Sequence, residues 1–372
     1  MNTQQQLYLA ASGALDVALA VWMLRPSSGK VTLLRCAAVS VACVLFAVVK
    51  LPLAALVTTS LFFAISLAYV GIVVVAPLAA SIVLLRAGSA GVTRAAKLLL
   101  WSMALVLPLV GVYASFIEPF RLVEERVEVV LPAERAPSEP LRIAVLADIQ
   151  SRKVDEHLRE AVRRALAFEP HLIVLPGDLI QEHPEENYLR VIDEFRALLA
   201  PLEAPLGVYF ALGNTDTPRL VGRVFEGTNV QLLENQSVEH TFGGRRVLVG
   251  GAGFRPFAPR TREFVERFDQ REGDELRILV AHYPDIALEL DDEPALDLII
   301  AGHTHGGQVR LPFFGAPLTL SGVPRAVGSG GLHELDGRRI YVSRGVGCER
   351  GAAPRLRFLC PPEVSLITVR AP

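Results

Sequence analysis

The first 116 residues carry apolar side chains with few interruptions, whereas from Arg121 onward charged residues return and the apolar positions gather into short runs. Four stretches of the first part, 7–24, 31–56, 61–85 and 98–116, come close to the roughly 20 residues that a bilayer-spanning helix needs. They predict an all-α transmembrane region of about four helices within residues 1–120. Arg25, Lys30 and Arg35 fall in the first connection, and Arg86, Arg94 and Lys97 in the third. Basic residues mark the cytoplasmic side, so the N-terminus and everything after Phe116 are expected outside, in a globular domain over 121–372. Met1 to Gln6 contain no Lys or Arg, which favours a retained helix over a cleaved signal peptide.

In the second part the runs read as buried strands. Leu141 to Ala147, His171 to Leu175 and Val208 to Leu212 are too short for free-standing helices and are bounded by turn residues. Residues 154–168 and 186–200 have helical spacing between them. Shorter strands are expected afterwards, including 276–281, 298–301, 309–311 and 364–369. The order predicts an α/β fold with polar residues at the carboxyl ends of its strands, the edge where such sheets bind ligands.

Asp148 and Gln150 follow the first run, Asp178 the second, and Asn214 and Asp216 the third. His282 follows 276–281, and Gly302-His303-Thr304-His305-Gly306-Gly307-Gln308 follows 298–301. Two imidazoles one residue apart face the same way on an extended backbone, which is the conformation expected for His303 and His305. Each residue alone has a plain alternative, since Asp caps helices and Asn fills turns. Their recurrence at five strand ends points instead to metal. Carboxylate, amide oxygen and imidazole without thiolate suit Mn, Fe, Zn or Co. Two such ions about 3.5–4 Å apart can share a carboxylate, clamp a phosphoryl group and acidify a bound water.

In this order, Asp148-Ile149-Gln150, Gly177-Asp178, Gly213-Asn214-Thr215-Asp216, His282 and Gly302-His303-Thr304-His305 resemble the five-block signature of the calcineurin-like metallophosphoesterases. The likeness covers about Val127 to Val369. It implies a four-layer αββα sandwich of two mixed sheets, here preceded by the transmembrane helices. It also implies two divalent ions, with Asp148 and His305 on the first, Asn214, His282 and His303 on the second, and Asp178 bridging. Asn214 and Asp178 are the catalytic residues on this reading. Gly306-Gly307-Gln308 and Leu311-Pro312 look like the branch that includes membrane-anchored bacterial members.

Two positions depart from the family pattern. Gln150 stands where the family has a histidine, and its amide oxygen is a poorer donor to Zn or Fe. Thr215 stands where the family has the histidine that protonates the leaving group. Losing a general acid costs about 10² to 10⁴ in rate, least for pyrophosphates and activated esters. Thr215 and Asp216 are expected substrate contacts, and His157, His183 and His333 are the imidazoles available to replace the acid. The alternative is a regulatory or metal-binding domain that keeps the fold without catalysis.

Composition narrows the partners. A net charge of -2 and a pI near 6.5 leave no basic stripe for a nucleic-acid backbone. The expected partners are the bilayer and a phosphorylated small-molecule or lipid substrate. Cys348 and Cys360 could pair in an oxidising compartment. Pro312-Phe313-Phe314-Gly315 either reaches the lipid interface or packs in the core.

Overall fold

The computed structural model describes residues 61–86, 93–181, 185–270, 273–290, 296–335, 337–349 and 354–372. In the N-terminal part, α1 (Leu61–Val70) and α2 (Ala76–Arg86) are joined by a π-helical stretch, Gly71–Val75. The next helix, α3 (Arg94–Val112), starts at Thr93, whose hydroxyl accepts the N–H of Ala96 at 3.3 Å. With the turns that follow, Arg94–Phe120 makes 27 residues, the one helix among the described residues long and apolar enough to cross a bilayer. Leu98, Trp101, Leu105 and Leu109 on it are exposed, an apolar surface that suits lipid better than water. The expectation of about four spans therefore has one such helix beneath it here. The third expected span is represented by a shorter apolar stretch, Ala68–Ile82, and the first two lie outside the described residues.

Glu118–Glu349 and Leu356–Pro372 make up a separate compact unit. Its first sheet contains β1 (Val123–Val130), β2 (Leu141–Val145), β3 (Leu172–Pro176), β4 (Val208–Ala211), β5 (Val230–Leu232) and β12 (Glu363–Arg370). Their spatial order is β1-β12-β2-β3-β4-β5. The second sheet contains β6 (Gln236–Phe242), β7 (Arg245–Gly251), β8 (Leu276–Ala281), β9 (Leu298–Ala301), β10 (Gly331–Leu335) and β11 (Arg338–Val342), in the order β10-β11-β9-β8-β7-β6. Both sheets mix parallel and antiparallel pairs.

The period of two in β2 explains the layering. Leu141, Ile143 and Val145 enter the core between the sheets, where they meet Val249, Ile278, Val280 and Ile300 of the second sheet. Ala144 faces the other way, into a core shared with Leu158, Val162 and Ala165 of α4 (Glu156–Ala167) and with Ile192, Phe195 and Leu199 of α5 (Glu185–Leu199). On the far side, Leu279, Ile299 and Ile340 pack against Phe264, Val265 and Phe268 of α7 (Pro259–Phe268), while α6 (Pro218–Phe225) joins the first helical layer. Helix, sheet, sheet, helix is the four-layer α/β arrangement expected. Each fully buried Leu, Ile or Phe adds about 1.5–3 kcal/mol.

Two local expectations change. Residues 309–311 form isolated bridges, Val309 to Phe358 and Leu311 to Gly315, because tight turns at positive φ, Gln308 and Phe313 among them, break the extended run. Val127 to Leu131 reads in the sequence as an entry strand; the observed strand begins earlier, at Val123, and pairs in parallel with β12. The neighbours β2, β3 and β4 run parallel, as do β8 and β9, so their carboxyl ends share an edge in each sheet.

Candidate metal centre

The loops at these edges leave the strand geometry abruptly. Asp148, Gln150, Asp178, His303, His305 and Gln308 all take positive φ, a conformation unfavourable for side chains other than glycine and concentrated at functional sites. His303 and His305 are thus not on extended backbone as the spacing suggested. The reason lies in their partners: the Asp148 carboxylate accepts the His303 N–H at 3.0 and 3.1 Å, and a short 3-10 turn, His305–Gly307, follows. Gly213 permits the closest approach, since a Cβ there would run into the Asp178 carboxylate and backbone nitrogen.

Asp148, Asp178 and His282 are buried, and one ligand atom from each lies within 4.8 Å of the others. The Nδ1 of His282 sits 2.9 Å from the Pro176 carbonyl oxygen, which can only accept, so this nitrogen carries the ring proton. The Nε2 lone pair then faces the Asn214 Oδ1 at 3.0 Å and an Asp178 oxygen at 3.7 Å. Facing acceptors of this kind are satisfied by a shared cation. The His303 ring lies 5.0 Å from that of His282 and 4.0 Å from that of Tyr283. His305 is buried, with Nδ1 3.5 Å from the Arg357 guanidinium. Gln150 is fully buried, and its Nε2 donates to Asp178 Oδ2 at 3.1 Å. Its Oε1 has no partner among the described residues, a state that costs about 1–3 kcal/mol unless something else fills it.

Electrostatics agree with the donor chemistry. Burial pushes the Asp178 carboxyl up to about 6, and burial together with Asp178 raises that of Asp148 well above the carboxylate range. Burial lowers His282 to about 4, and burial with the nearby His282 lowers His303 to about 3. The imidazoles are therefore neutral lone-pair donors, and the carboxyls are poised to exchange a proton for a cation. Between pH 7 and pH 5 a proton returns to Asp178, and Mn²⁺ affinity measured by calorimetry is expected to fall by at least about tenfold. The imidazoles add nothing over that interval, since they stay neutral down to about pH 4.

Asp216 is a correction to the expected substrate contacts. Its carboxylate turns to the backbone and accepts the N–H groups of Asp178 (2.7 Å), Leu179 (3.0 Å) and Gly213 (2.8 Å). It braces the two loops that carry Asp178 and Asn214. Thr215 donates its N–H to Asp178 Oδ1 at 2.9 Å, and Asn214 is exposed at the mouth of the site. His157 and His333 bond to the carbonyls of Val346 and Gly330, and His183 lies outside the described residues. Cys348 and Cys360 are free and buried, the Cys360 thiol being directed at the His305 carbonyl at 3.4 Å.

Three residues of this region went unread in the sequence. Tyr283 directs its hydroxyl to the Asn214 Oδ1 at 3.3 Å and was signalled only by its place after His282. Glu349 and Arg357 come from a segment far along the chain, with no motif to mark them.

The sequence profile of the calcineurin-like phosphoesterases matches residues 141–307. Phosphodiesterase YaeI of Escherichia coli is 30% identical over 265 residues, covering 68% of this chain and 91% of that protein. The uncharacterized metallophosphoesterase YkuE of Bacillus subtilis is 31% identical over 225 residues, 58% of this chain and 73% of its own length. UDP-2,3-diacylglucosamine pyrophosphatase LpxG of Chlamydia muridarum is 26% identical over 318 residues, 70% of this chain and 92% of its own. With buried carboxylates and neutral imidazoles gathered at the sheet edges, and with these relatives, the chain belongs to the calcineurin-like phosphoesterases and is a metal-dependent phosphohydrolase.

Proposed function

We propose that the chain is a membrane-anchored, two-metal phosphoesterase whose substrate is a phosphoester or pyrophosphate on a lipid or envelope intermediate. The observation that supports the two-metal reading is the gathering of Asp148, Asp178 and His282 within 4.8 Å of one another, with Asn214 Oδ1 3.0 Å from the His282 ring and the His303 N–H on the Asp148 carboxylate. Asp148, Gln150, Asp178 and His305 would hold one ion, and Asp178, Asn214, His282 and His303 the other. When bound, two divalent ions of the Mn, Fe, Zn or Co class would supply an acidified water and neutralise phosphoryl charge. The chain's own contribution is positional. Pro176 and Leu320 carbonyls hold the His282 and His303 rings, and Asp216 fixes the backbone beneath Asp178. Asn214, exposed at the mouth, and Thr215, whose hydroxyl is buried without a partner among the described residues, are the proposed phosphoryl contacts.

Thr215 cannot serve as a general acid near neutral pH, so substrates whose leaving group departs unprotonated are favoured. A cleft of about 450 Å³ lined by Asp285, Leu318, Leu320, Ser321 and Arg325 adjoins His303, whose Nε2 contacts the Leu320 carbonyl at 3.2 Å. Its neighbourhood combines cation and apolar surface: Arg325 lies 4.4 Å over the Phe314 ring, and Phe313 is fully exposed. That pairing suits an anionic headgroup bearing acyl chains. The name of LpxG, a pyrophosphatase of a diacylated sugar nucleotide, points the same way for that relative. The proposed anchor is an N-terminal region of about four helices within 1–120, of which Arg94–Phe120 is the apolar helix described. The catalytic domain, 121–372, is then extracytoplasmic.

Chelator-stripped full-length protein is expected to leave bis-p-nitrophenyl phosphate intact, and Mn²⁺ to restore turnover. Metal-independent hydrolysis, or none with any of the four ions, would remove the reading. The lipid part has its own test. Phe313→Ser is expected to slow hydrolysis of a vesicle-embedded phosphoester by about tenfold, the loss of one buried aromatic, while the soluble diester is turned over as before. Equal effects on both substrates would count against it.

A further inference from the structure

The geometry points to Glu349 as a positioning residue of the metal centre, one that holds Gln150 with its Oε1 presented to a metal ion and so shifts that position toward Mn²⁺ relative to the imidazole the family has there. The inference rests on the two-metal reading and adds to it a residue outside every motif block.

A single nitrogen fixes the amide. Gln150 Nε2 donates to Asp178 Oδ2 at 3.1 Å and to Glu349 Oε2 at 2.9 Å. Turning the amide over would set its oxygen against two carboxylates, so its sense is determined by charge. Among the described residues Oε1 is thereby kept without a protein partner, inside a site where Gln150 has no exposure to water. A metal-bound histidine is usually oriented by a carboxylate on its other ring nitrogen. Here an amide takes the imidazole's place and Glu349 takes the carboxylate's.

Glu349 is itself held on three counts. Its Oε1 accepts from Gln181 Nε2 at 2.8 Å, and its N–H donates to Gln308 Oε1 at 2.8 Å. Gln308 closes the Gly306-Gly307-Gln308 run that follows the His303 and His305 pair, and this contact gives it a task at the centre. The third hold is the loop itself: Gly347 donates to the Asp148 carbonyl at 2.8 Å, and a Cβ on Gly347 would collide with the Ile149 carbonyl. The Glu349 segment therefore lies directly on the Asp148–Gln150 turn. Carboxylates from Asp148 and Asp178 with an amide oxygen make a harder donor set than one in which the family's imidazole replaces the amide, and a harder set narrows the advantage that Zn²⁺ ordinarily holds over Mn²⁺.

The experiment is competitive metal binding by full-length protein in detergent, stripped of metal and titrated with Mn²⁺ and Zn²⁺. Free Mn²⁺ is read by paramagnetic resonance and bound metal by elemental analysis. Wild type is expected to take two Mn²⁺ per chain. Glu349→Gln gives Oε1 a competing amide donor and is expected to weaken one of the two by about 10- to 100-fold, leaving the other unchanged. Gln150→His, which loses nothing in donor count, is expected to shift that same position toward Zn²⁺ by at least tenfold. Two Mn²⁺ bound by Glu349→Gln as tightly as by wild type, or an unshifted preference in Gln150→His, would overturn the proposal. Wild-type protein holding fewer than two ions would instead be a failure of the two-metal reading beneath it.

Discussion

Asp178→Ala is expected to lower Mn²⁺-dependent turnover by at least about 10³-fold, because Lewis-acid stabilisation by a bound ion is worth several kcal/mol and each 1.4 kcal/mol is roughly a decade. Asp178 ties three parts of the site together. Its Oδ1 receives the Thr215 N–H, its Oδ2 receives Gln150 Nε2, and it belongs to the buried trio with Asp148 and His282. Asp178→Asn separates charge from shape, since the amide keeps the volume but not the anion. It is expected to be nearly as inactive as Asp178→Ala while unfolding close to wild type. Substantial turnover by Asp178→Asn would show that the carboxylate is not the shared ligand.

Arg357→Ala is expected to cost about 3–5 kcal/mol of stability, because it leaves several buried carbonyls without a donor, each at roughly 1–3 kcal/mol before relaxation. The guanidinium donates to the carbonyls of Gly347 (3.1 Å), Cys360 (3.1 Å), Arg344 (2.7 Å) and Gly345 (3.3 Å). The carbonyls of Arg344, Gly345 and Gly347 belong to the turn after β11 that packs on Asp148, so the loss is felt both in folding and at the site. A fall in thermal midpoint of about 10 °C is the expected reading for a domain of this size. Arg357→Lys keeps the charge, but its ammonium has three donors and no fork, so it is expected to recover less than half. A midpoint within 1–2 °C of wild type in Arg357→Ala would mean that water replaces the guanidinium at little cost.

The sequence carried the strands and their polar ends well because both depend on local pattern. Leu141, Ile143 and Val145 alternate with Ala144 as a doubly buried strand must, and Asp148, Asp178, Asn214 and His282 each follow such a run. What it did not carry depends on contacts distant in the chain. Asp216 looks like a ligand beside Asn214, yet three backbone N–H groups from two loops claim its carboxylate. His303 and His305 suggest extended backbone until the Asp148 carboxylate, 155 residues away in sequence, captures the His303 N–H. Gln150 reads as a bare loss of histidine until Glu349, 199 residues further on, is found against it.

The most direct test of the account is anomalous diffraction at the manganese edge from crystals of the full-length protein equilibrated with Mn²⁺. Two peaks about 3.5–4 Å apart are expected, with Asp178 between them. One should stand beside Asp148, Gln150 and His305, and the other beside Asn214, His282 and His303. No peak among these side chains at saturating Mn²⁺, or a single one remote from Asp178, would contradict it.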